Sequence, residues 1–289
     1  MAKKLVQFDW AIKKLLRHKT NFKILEGFLS ELLGFDVTID SILESEANKE
    51  DAEDKSNRVD ILVRSSSGEL MLVEVQNDAQ VDYFHRMVYG ASRLITEYIK
   101  QGDPYGAIKK VFSINIVYFN LGQGKDYIYE YKGYFEGLHY RDKLLPSERQ
   151  RNDYDVLEVA DIFPQYYILK TNNFDDIARS SLDEWIYFLK NSEVKEEFDA
   201  KGLDEAREKL QEESLSAEDR KAYQRYQENR RVERSVLETA IKEGETRGEE
   251  KGIQKIVINM HLKGMPVEQI AGFADIPLKE VERIIKNFA

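Results

Sequence analysis

Two acidic residues, Asp60 and Glu74, lie in neighbouring β-prone runs of the segment "RVDILVRSSSGELMLVEVQ" (58–76). The Ser-Ser-Gly sequence between the runs (66–68) predicts a tight hairpin turn, with the glycine in the left-handed position. If the residues that flank this turn pair directly, the register places Asp60 opposite Glu74, with Cβ atoms about 5 Å apart. Like charges at that distance destabilise a sheet, so the pair requires an explanation.

Alternation along the two strands turns both acids to the same side. Successive side chains of a strand point to opposite faces, so Asp60, Glu74 and Gln76 converge on one face of the sheet. A bound divalent cation would remove the repulsion, and Mg²⁺ takes one or two carboxylates together with water and substrate phosphates. A solvated edge hairpin, whose acids simply meet water, explains the same spacing. The spacing alone leaves both interpretations open.

The segment before the hairpin predicts a helix that can bring a further acid to the sheet. "NFKILEGFLSELLGF" (21–35) has apolar residues at helical spacing, an N-cap residue in Asn21 and a glycine stop in Gly34. At about 100° per residue, Glu26 borders the apolar stripe and is expected at the edge of the sheet. Glu31 falls on the opposite side and is expected to face water.

The segments after the hairpin continue the alternation of helix and strand. A helix is predicted over 82–100, and a strongly β-prone run, "KVFSINIVYFNL" (110–121), follows it. Two further β-prone runs are "DYIYEYKGYF" (126–135) and "YDVLEVADIFPQYYIL" (154–169), of which the second either closes the sheet or begins an outer layer. The predicted inward face of the helix over 82–100 consists of Phe84, Val88, Ala91, Ile95 and Tyr98.

Composition narrows the class of protein. The 289 residues carry a net charge of −10 and 42% hydrophobic residues, as expected of a soluble globular chain. No apolar run approaches the ~20 residues of a membrane span, and the first ten residues lack the apolar core of a signal peptide. Cysteine is absent, which excludes disulfides and thiolate zinc sites and fits a reducing cytoplasm, and the four histidines show no metal-ligand spacing. The acidic balance argues against a chain-wide field for nucleic acid, but it leaves open a local basic groove or charge carried by a metal.

The order of these elements and motifs resembles the core of the PD-(D/E)XK nucleases, and it is most similar to their bacterial recombination-promoting nuclease and transposase branch. The matching motifs are "FDWAIKKLL" (8–16), "VDILV" (59–63), "VEVQ" (73–76) and "HRMVYGASRL" (85–94). The resemblance covers roughly residues 5–170 of the chain. It implies a restriction-endonuclease-like α/β fold, with helices flanking a mixed sheet, and Mg²⁺-dependent cleavage of DNA phosphodiesters, with Mn²⁺ as a substitute.

The resemblance also implies roles for particular residues. Asp60 and Glu74 become metal ligands, joined by the backbone carbonyl of Val75. Glu26 matches the first-helix acid that occurs in much of the superfamily and is a further catalytic candidate. Gln76 stands where many members have lysine, and its amide is expected to position the attacking water.

Residues on two helices extend the match. Arg86 and Tyr89 are three residues apart on one helix face and are expected to contact the substrate backbone, with an ion pair and a half-buried phenol as their structural alternatives. Asp9 and Lys13 match the family signature without an assigned role, and pairing at i,i+4 on a helix would also account for them.

The chain is predicted to have three parts: a nuclease-like core over 1–170, a charged helical arm over 171–252 and a small helix-turn-helix-like tail over 253–289. The arm is dense in charge and sparse in apolar residues, which is typical of a solvated helix or a coiled coil. The tail either contacts DNA or serves self-association. A homo-oligomer formed through the C-terminal helices is therefore one expectation.

Together with these patterns, the resemblance implies a metal-dependent DNA endonuclease linked to recombination or mobile-element activity. DNA is its expected partner, its expected location is the cytoplasm, and no association with a membrane is expected. The alternative is a non-catalytic DNA-binding or oligomeric interaction protein that retains the nuclease-like fold. Metal binding distinguishes the two, because an adaptor has no reason to hold Mg²⁺ at Asp60 and Glu74.

Overall fold

A six-stranded mixed sheet forms the centre of the fold. The computed structural model describes residues 5–43, 61–99 and 101–288, so the predicted metal ligand Asp60 lies outside the described residues. The strands are β1 Ile39–Leu43, β2 Ile61–Ser65, β3 Leu70–Gln76, β4 Val111–Val117, β5 Ile128–Glu130 and β6 Gln165–Lys170. They lie across the sheet in the order β1-β2-β3-β4-β6-β5; β4 runs parallel to β3 and β6, and the other neighbours are antiparallel. The expected mixed α/β architecture is confirmed.

Along the chain, helices lie before, between and after the strands of the sheet. In chain order they are α1 Phe8–Lys14, α2 Phe22–Leu33, α3 Tyr83–Tyr98, α4 Glu148–Tyr154, α5 Ser181–Asn191, α6 Leu203–Lys209, α7 Ala217–Leu262, α8 Val267–Ala274 and α9 Leu278–Phe288. Gly34, in the left-handed conformation at φ 76°, ends α2 as predicted. Asn21 precedes α2, but its side-chain amide donates to the Leu15 carbonyl (2.9 Å) instead of capping the helix.

The β2–β3 hairpin has the predicted register wherever both strands are described. Ile61 pairs with Val73, and the Ser65 N–H donates to the Glu69 carbonyl at 3.0 Å. Gly68 completes the turn at φ 92°, in the region that glycine enters without a steric penalty. The pair of acids predicted one step beyond Ile61 involves a residue outside the described ranges.

Helix α3 covers one face of the sheet above β2, β3 and β4. A buried cluster joins the helix to the strands: Leu62, Leu70, Leu72, Ala91, Leu94 and Val111. Glu74 and Gln76 follow Leu70 and Leu72 at steps of two residues along β3, so their side chains lie on this same face, called the α3 face below. The convergence of Glu74 and Gln76 on one side of the sheet follows from this alternation.

The buried side of α3 differs from the predicted one. Phe84 and Val88, predicted to point inward, are about half exposed. Ala91 is buried as predicted, and Ile95 and Tyr98 pack partly buried against the same cluster. In place of Phe84 and Val88, the helix buries Tyr83, Met87 and Leu94. The Tyr83 hydroxyl donates to Asn115 Oδ1 of β4 at 3.2 Å, and a buried phenol requires such a partner. This contact turns the buried side of the helix toward Tyr83 and Met87 by less than the ~100° of one residue, because Ala91 is buried in both orientations.

An aromatic cluster holds α1, α2 and α5 together. The ring of Phe8 lies with its centroid 5.7 Å from that of Phe28, 6.0 Å from Phe188 and 6.5 Å from Trp185. Side chains on the sheet face opposite to α3, such as Val63, are also fully buried. Because α5 supplies two of the four rings, this core extends beyond the predicted boundary at residue 170.

The chain divides into two compact units, residues 1–220 and 221–289. In the first unit α2 packs against both α5 and α6, which is why the division falls near residue 220 instead of 170. The second unit has a small core formed by Val257, Ile270, Val281 and Ile284. Phe273, on the same helix as Ile270, is exposed. None of the helices in the described ranges combines the length and the apolarity needed to cross a membrane.

Candidate active site at the carboxyl end of strand β3

Glu74 presents a buried carboxylate on the α3 face. Only 6% of the residue is exposed, and it pairs in register with Asn115 of β4. The guanidinium of Arg86, near the start of α3, lies with Nη2 3.8 Å from Glu74 Oε1. A charged carboxylate is costly to bury without a partner, so Arg86 supplies part of the compensation.

Arg86 is itself largely buried, with 14% of its side chain exposed. Its Nη1 donates to the side-chain carbonyl of Gln80 at 3.3 Å. At 3.8 Å this contact is longer than a hydrogen bond, so Arg86 and Glu74 interact there through their charges. Tyr89, three residues further along α3, exposes more than half of its surface. The ion pair considered for Arg86 is therefore present, while contact of either residue with substrate stays a prediction.

Gln76 ends β3 at the solvent boundary of the α3 face. Its backbone carbonyl accepts from the Tyr118 N–H at 3.0 Å, which continues the parallel pairing with β4. Its side-chain Nε2 donates to the Asp78 carbonyl at 3.4 Å, near the limit for a hydrogen bond. So weakly held an amide can turn toward a water or a phosphate at little cost.

Asp9 brings a second acid to the same end of β3. It is buried; its Oδ2 accepts from Asn77 Nδ2 at 3.1 Å, and its Oδ1 accepts from the Trp10 N–H at 2.8 Å. Asn77 directly follows the last residue of β3, so the α1 acid and the strand end are in contact.

Burial, and secondarily the negative charge of Asp9, raise the pKa of the Tyr118 hydroxyl well above its usual range. No spacing rule connects residues 68 positions apart; the family motif around Asp9 was the one available signal.

A buried polar network lies beside Glu74 under α3. The side-chain amide of Asn115 donates to the Ser113 carbonyl at 3.1 Å and to the Tyr167 carbonyl at 3.2 Å, while its oxygen accepts from Tyr83. Polar groups that are buried and satisfied in this way hold one arrangement. The strand next to Glu74 is therefore rigid at the level of the carboxylate.

Glu26 lies at the edge of the sheet, as predicted, but at its other end. Its Oε1 accepts from the Ile39 N–H at 2.8 Å, which ties α2 to the edge strand β1. Ile39 pairs with Ser65, next to the hairpin turn, and Ser65 faces Glu69. Glu74 lies five residues beyond Glu69 along the chain, about 16 Å further along the strand. The structure therefore does not bring Glu26 together with Glu74.

Glu31, the acid of α2 that is predicted to face water, also has a partner. Glu31 is partly buried, and its Oε1 accepts from the backbone N–H of Lys201 at 3.4 Å. This contact belongs to the packing of α2 against the segment that leads into α6.

The groups at the carboxyl end of β3 fit a hard divalent cation in chemical type. Glu74 and Asp9 offer carboxylates, and Val75 offers a carbonyl; oxygen ligands of these kinds are those that Mg²⁺ takes. Asp60, the other predicted ligand, lies outside the described residues. Within the part of the chain that is described, no group of three or more His, Cys, Asp or Glu side chains could hold a metal ion.

A groove of about 1240 Å³ opens on the α3 face, above β5 and β6. Its walls include exposed aromatic rings: Phe84, Tyr131, Tyr134, Phe135 and Phe163. Two of the three lysines that line it form ion pairs: Lys132 lies 3.0 Å from Glu130, and Lys143 lies 2.6 Å from Glu158. The third, Lys110, donates to the Phe163 carbonyl at 2.8 Å. Aromatic faces of this kind can stack on unpaired bases, whereas the paired lysines give the groove little net field for phosphate.

Comparison with known proteins gives one match. A family model described as PD-(D/E)XK nuclease family transposase matches residues 6–240. No curated protein and no solved structure matches the chain significantly. The matched span contains the hairpin, α3 and every candidate site residue described above, and it covers well over half of the chain. With its mixed sheet and the acid-bearing end of β3, the chain belongs to the PD-(D/E)XK nuclease family transposases.

Proposed function

We propose that this protein is a divalent-metal-dependent endonuclease that hydrolyses DNA phosphodiesters in recombination or mobile-element processes. Its family supports a nuclease- or transposase-related role, with DNA as the substrate. The observation that carries the proposal is the buried carboxylate of Glu74, held at the end of β3 with the guanidinium of Arg86 3.8 Å away. The absence of cysteine from all 289 residues supports action in the cytoplasm.

The proposal assigns Mg²⁺, or Mn²⁺ in its place, to Asp60, Glu74 and the Val75 carbonyl. Of these, Asp60 rests on the sequence alone. When bound, the metal ion would lower the pKa of a coordinated water and neutralise charge on the scissile phosphate. The contact between Asp9 and Asn77 at the same strand end supports Asp9 as a further acid that shapes the metal environment.

The side chains of the chain itself would bind and orient the substrate. Arg86 can turn its guanidinium from Glu74 toward a phosphate oxygen, for which its planar pair of donors is suited. Gln76 can donate to the attacking water or accept from it, but it cannot act as a base or supply a positive charge. Tyr89 offers an exposed hydroxyl to the sugar-phosphate backbone.

Cleavage of supercoiled plasmid tests the proposal. Wild type is incubated with Mg²⁺, with Mn²⁺ and with chelator, beside Asp60→Asn, Glu74→Gln and the exposed-surface control Glu148→Gln. We expect nicking by wild type and the control only when metal is present, and loss of about 100-fold or more in the two site variants. Metal-independent nicking, or equal rates in all four proteins, would refute the assignment.

A non-catalytic interaction protein is the second candidate, because Gln76 replaces the expected lysine and Glu74 already has Arg86 as a partner. Such a protein would bind DNA without holding a divalent cation at this site. Calorimetric titration with Mn²⁺ separates the two: the nuclease shows binding that Glu74→Gln weakens, and the adaptor shows none.

A further inference from the structure

The ion pair between Glu74 and Arg86 is buried at both ends. Only 8% of the Glu74 side chain and 14% of the Arg86 side chain are exposed. The pair Arg247–Glu243 on the surface of α7, by contrast, exposes 69% and 59% of its side chains. Charges interact more strongly away from water, so the members of the buried pair depend on each other more than those of a surface pair do. Any ion that takes the place of Arg86 must in turn compensate the buried carboxylate.

The two ends of this pair differ in how firmly they are held. Glu74 lies within β3, flanked on β4 by the rigid polar network of Asn115. Arg86 lies near the start of α3 and carries its charge at the end of a long side chain with several rotatable bonds. Its hydrogen bond to the Gln80 side chain is 3.3 Å long. The sheet therefore fixes the carboxylate, whereas the guanidinium can move by rotation of its own side chain without any change in α3.

A divalent cation and the Arg86 guanidinium would repel each other at Glu74. Both are attracted to the same carboxylate, whose Oε1 lies 3.8 Å from Arg86 Nη2. In a site that is shielded from water, this repulsion is only weakly screened. An arginine beside a carboxylate weakens the binding of a proton to it by about tenfold or more, and a metal ion meets the same repulsion. Metal ion and guanidinium therefore compete for Glu74.

We propose that Arg86 is the counter-ion that the metal displaces from Glu74, and that the displaced guanidinium then binds a phosphate of DNA. This inference rests on the proposed metal site at Glu74. Arg86 is in this account a positioning residue, because it compensates the buried carboxylate until the metal arrives. Metal binding releases the guanidinium for phosphate, and phosphate binding to the guanidinium releases Glu74 for metal. Linkage requires these two effects to be equal, so metal and DNA bind cooperatively.

Calorimetric titration of the full-length protein with Mn²⁺ tests the competition. Arg86→Gln removes the competing charge, so it should bind Mn²⁺ about tenfold more tightly than wild type. Arg86→Lys keeps the charge and should bind as wild type does. The control Arg149→Gln removes an exposed arginine of α4 and should also leave the affinity unchanged. If Arg86 only supported the site, its loss would weaken metal binding, which is the opposite sign.

The same titration with Glu74→Gln separates failure of this inference from failure of the proposed function. Tighter binding in Arg86→Gln that is lost when Glu74→Gln is added supports both. Wild-type binding that depends on Glu74 but is equal or weaker in Arg86→Gln would overturn the displacement and leave the metal site standing. Binding that is absent from wild type, or that does not depend on Glu74, would overturn both. Circular dichroism shows that each variant is folded at the temperature of the titration.

DNA binding in the presence of chelator is a second measurement, which needs no metal. Glu74→Gln releases Arg86 from its partner, so it should bind a labelled duplex about fivefold or more tightly than wild type, measured by fluorescence anisotropy. One added phosphate contact should also steepen the dependence of log K on log salt by about one. The gain should vanish when Arg86→Gln is added, and the exposed control Glu148→Gln should show none. No gain in Glu74→Gln, or a gain of the same size with Arg86→Gln added, would overturn the proposal.

Discussion

At the scale of single residues, the contact between Arg86 and Glu74 sets the electrostatics of the candidate site. We expect Arg86→Gln to lower the free energy of unfolding in metal-free buffer by about 1–3 kcal/mol, because a buried carboxylate loses its cation. Adding Glu74→Gln should recover most of that loss, since a neutral amide costs less to bury than an ion. Urea unfolding of the four proteins in this cycle measures the coupling. Strictly additive losses would show that the two side chains do not interact.

Asp9 gives a second prediction at this scale. Asp9→Asn keeps an oxygen for the Trp10 N–H but removes the negative charge next to Asn77, so the fold should be retained. If this acid shapes the metal environment, Mn²⁺ affinity should fall by about tenfold or more, as it does when residues that support metal ligands are changed. Titration calorimetry measures the affinity, with Asp153→Asn on exposed α4 as the control. Equal affinities in all three proteins would limit Asp9 to a structural role.

At the scale of elements, Gly27 marks the closest approach between α2 and the turn before α6. A Cβ at this position would lie 2.0 Å from the Lys201 carbonyl oxygen and 2.8 Å from Gly202 Cα, both backbone atoms. We therefore expect Gly27→Ala to destabilise the protein by about 3 kcal/mol, at the upper end of overpacking. Gly272→Ala, in α8 with open space around it, should be neutral or slightly stabilising. Thermal melts compare them, and equal midpoints would contradict the packing of α2 on this segment.

The contact between the start of β5 and α5 should weaken at alkaline pH. The Tyr127 hydroxyl donates to Asp183 Oδ1 at 2.7 Å. Burial, and then this hydrogen bond, raise the pKa of Tyr127 from 10.0 to about 12. Since the pKa is higher in the folded protein, the stabilisation is complete below pH 10 and is lost as the pH rises toward 12.

Tyr127→Phe checks this dependence. It should cost about 1 kcal/mol at neutral pH and make the loss of stability above pH 10 shallower than in wild type. Tyr140→Phe, on an exposed side chain, should change neither quantity. Denaturant unfolding at several pH values measures both, and parallel curves for wild type and Tyr127→Phe would contradict the assignment.

The elements that the sequence predicts well are those fixed by local chemistry. The hairpin register follows from the turn around Gly68 and from alternation, both of which act within a few residues. The rotation of α3 was predicted wrongly because Phe84 and Tyr83 are both apolar enough to be buried, and the choice depends on Asn115 across the sheet. The Asp9–Asn77 contact and the distance of Glu26 from Glu74 depend on how distant segments pack, which periodicity does not encode.

At the scale of the whole molecule, the aromatic cluster decides where the chain can be divided. A chain that ends at residue 220 keeps Trp185 and Phe188 against Phe8 and Phe28 and should melt cooperatively. A chain that ends at residue 170 loses two of these four rings and should not fold, because removing one large buried aromatic side chain already costs about 3–5 kcal/mol. Near-UV circular dichroism and thermal melts of the two proteins test this. A folded 1–170 chain would restore the shorter core expected from the sequence.

The central proposal is that metal-dependent DNA cleavage depends on Glu74, at the carboxyl end of β3. Glu74→Gln and Glu26→Gln make the same chemical change at two acids that lie about 16 Å apart along the sheet. The measurement is the single-turnover rate of Mg²⁺-dependent plasmid nicking, normalised to folded protein. We predict a loss of about 100-fold or more for Glu74→Gln and a change within about threefold for Glu26→Gln. A Glu74→Gln protein that nicks DNA as fast as wild type would contradict the account.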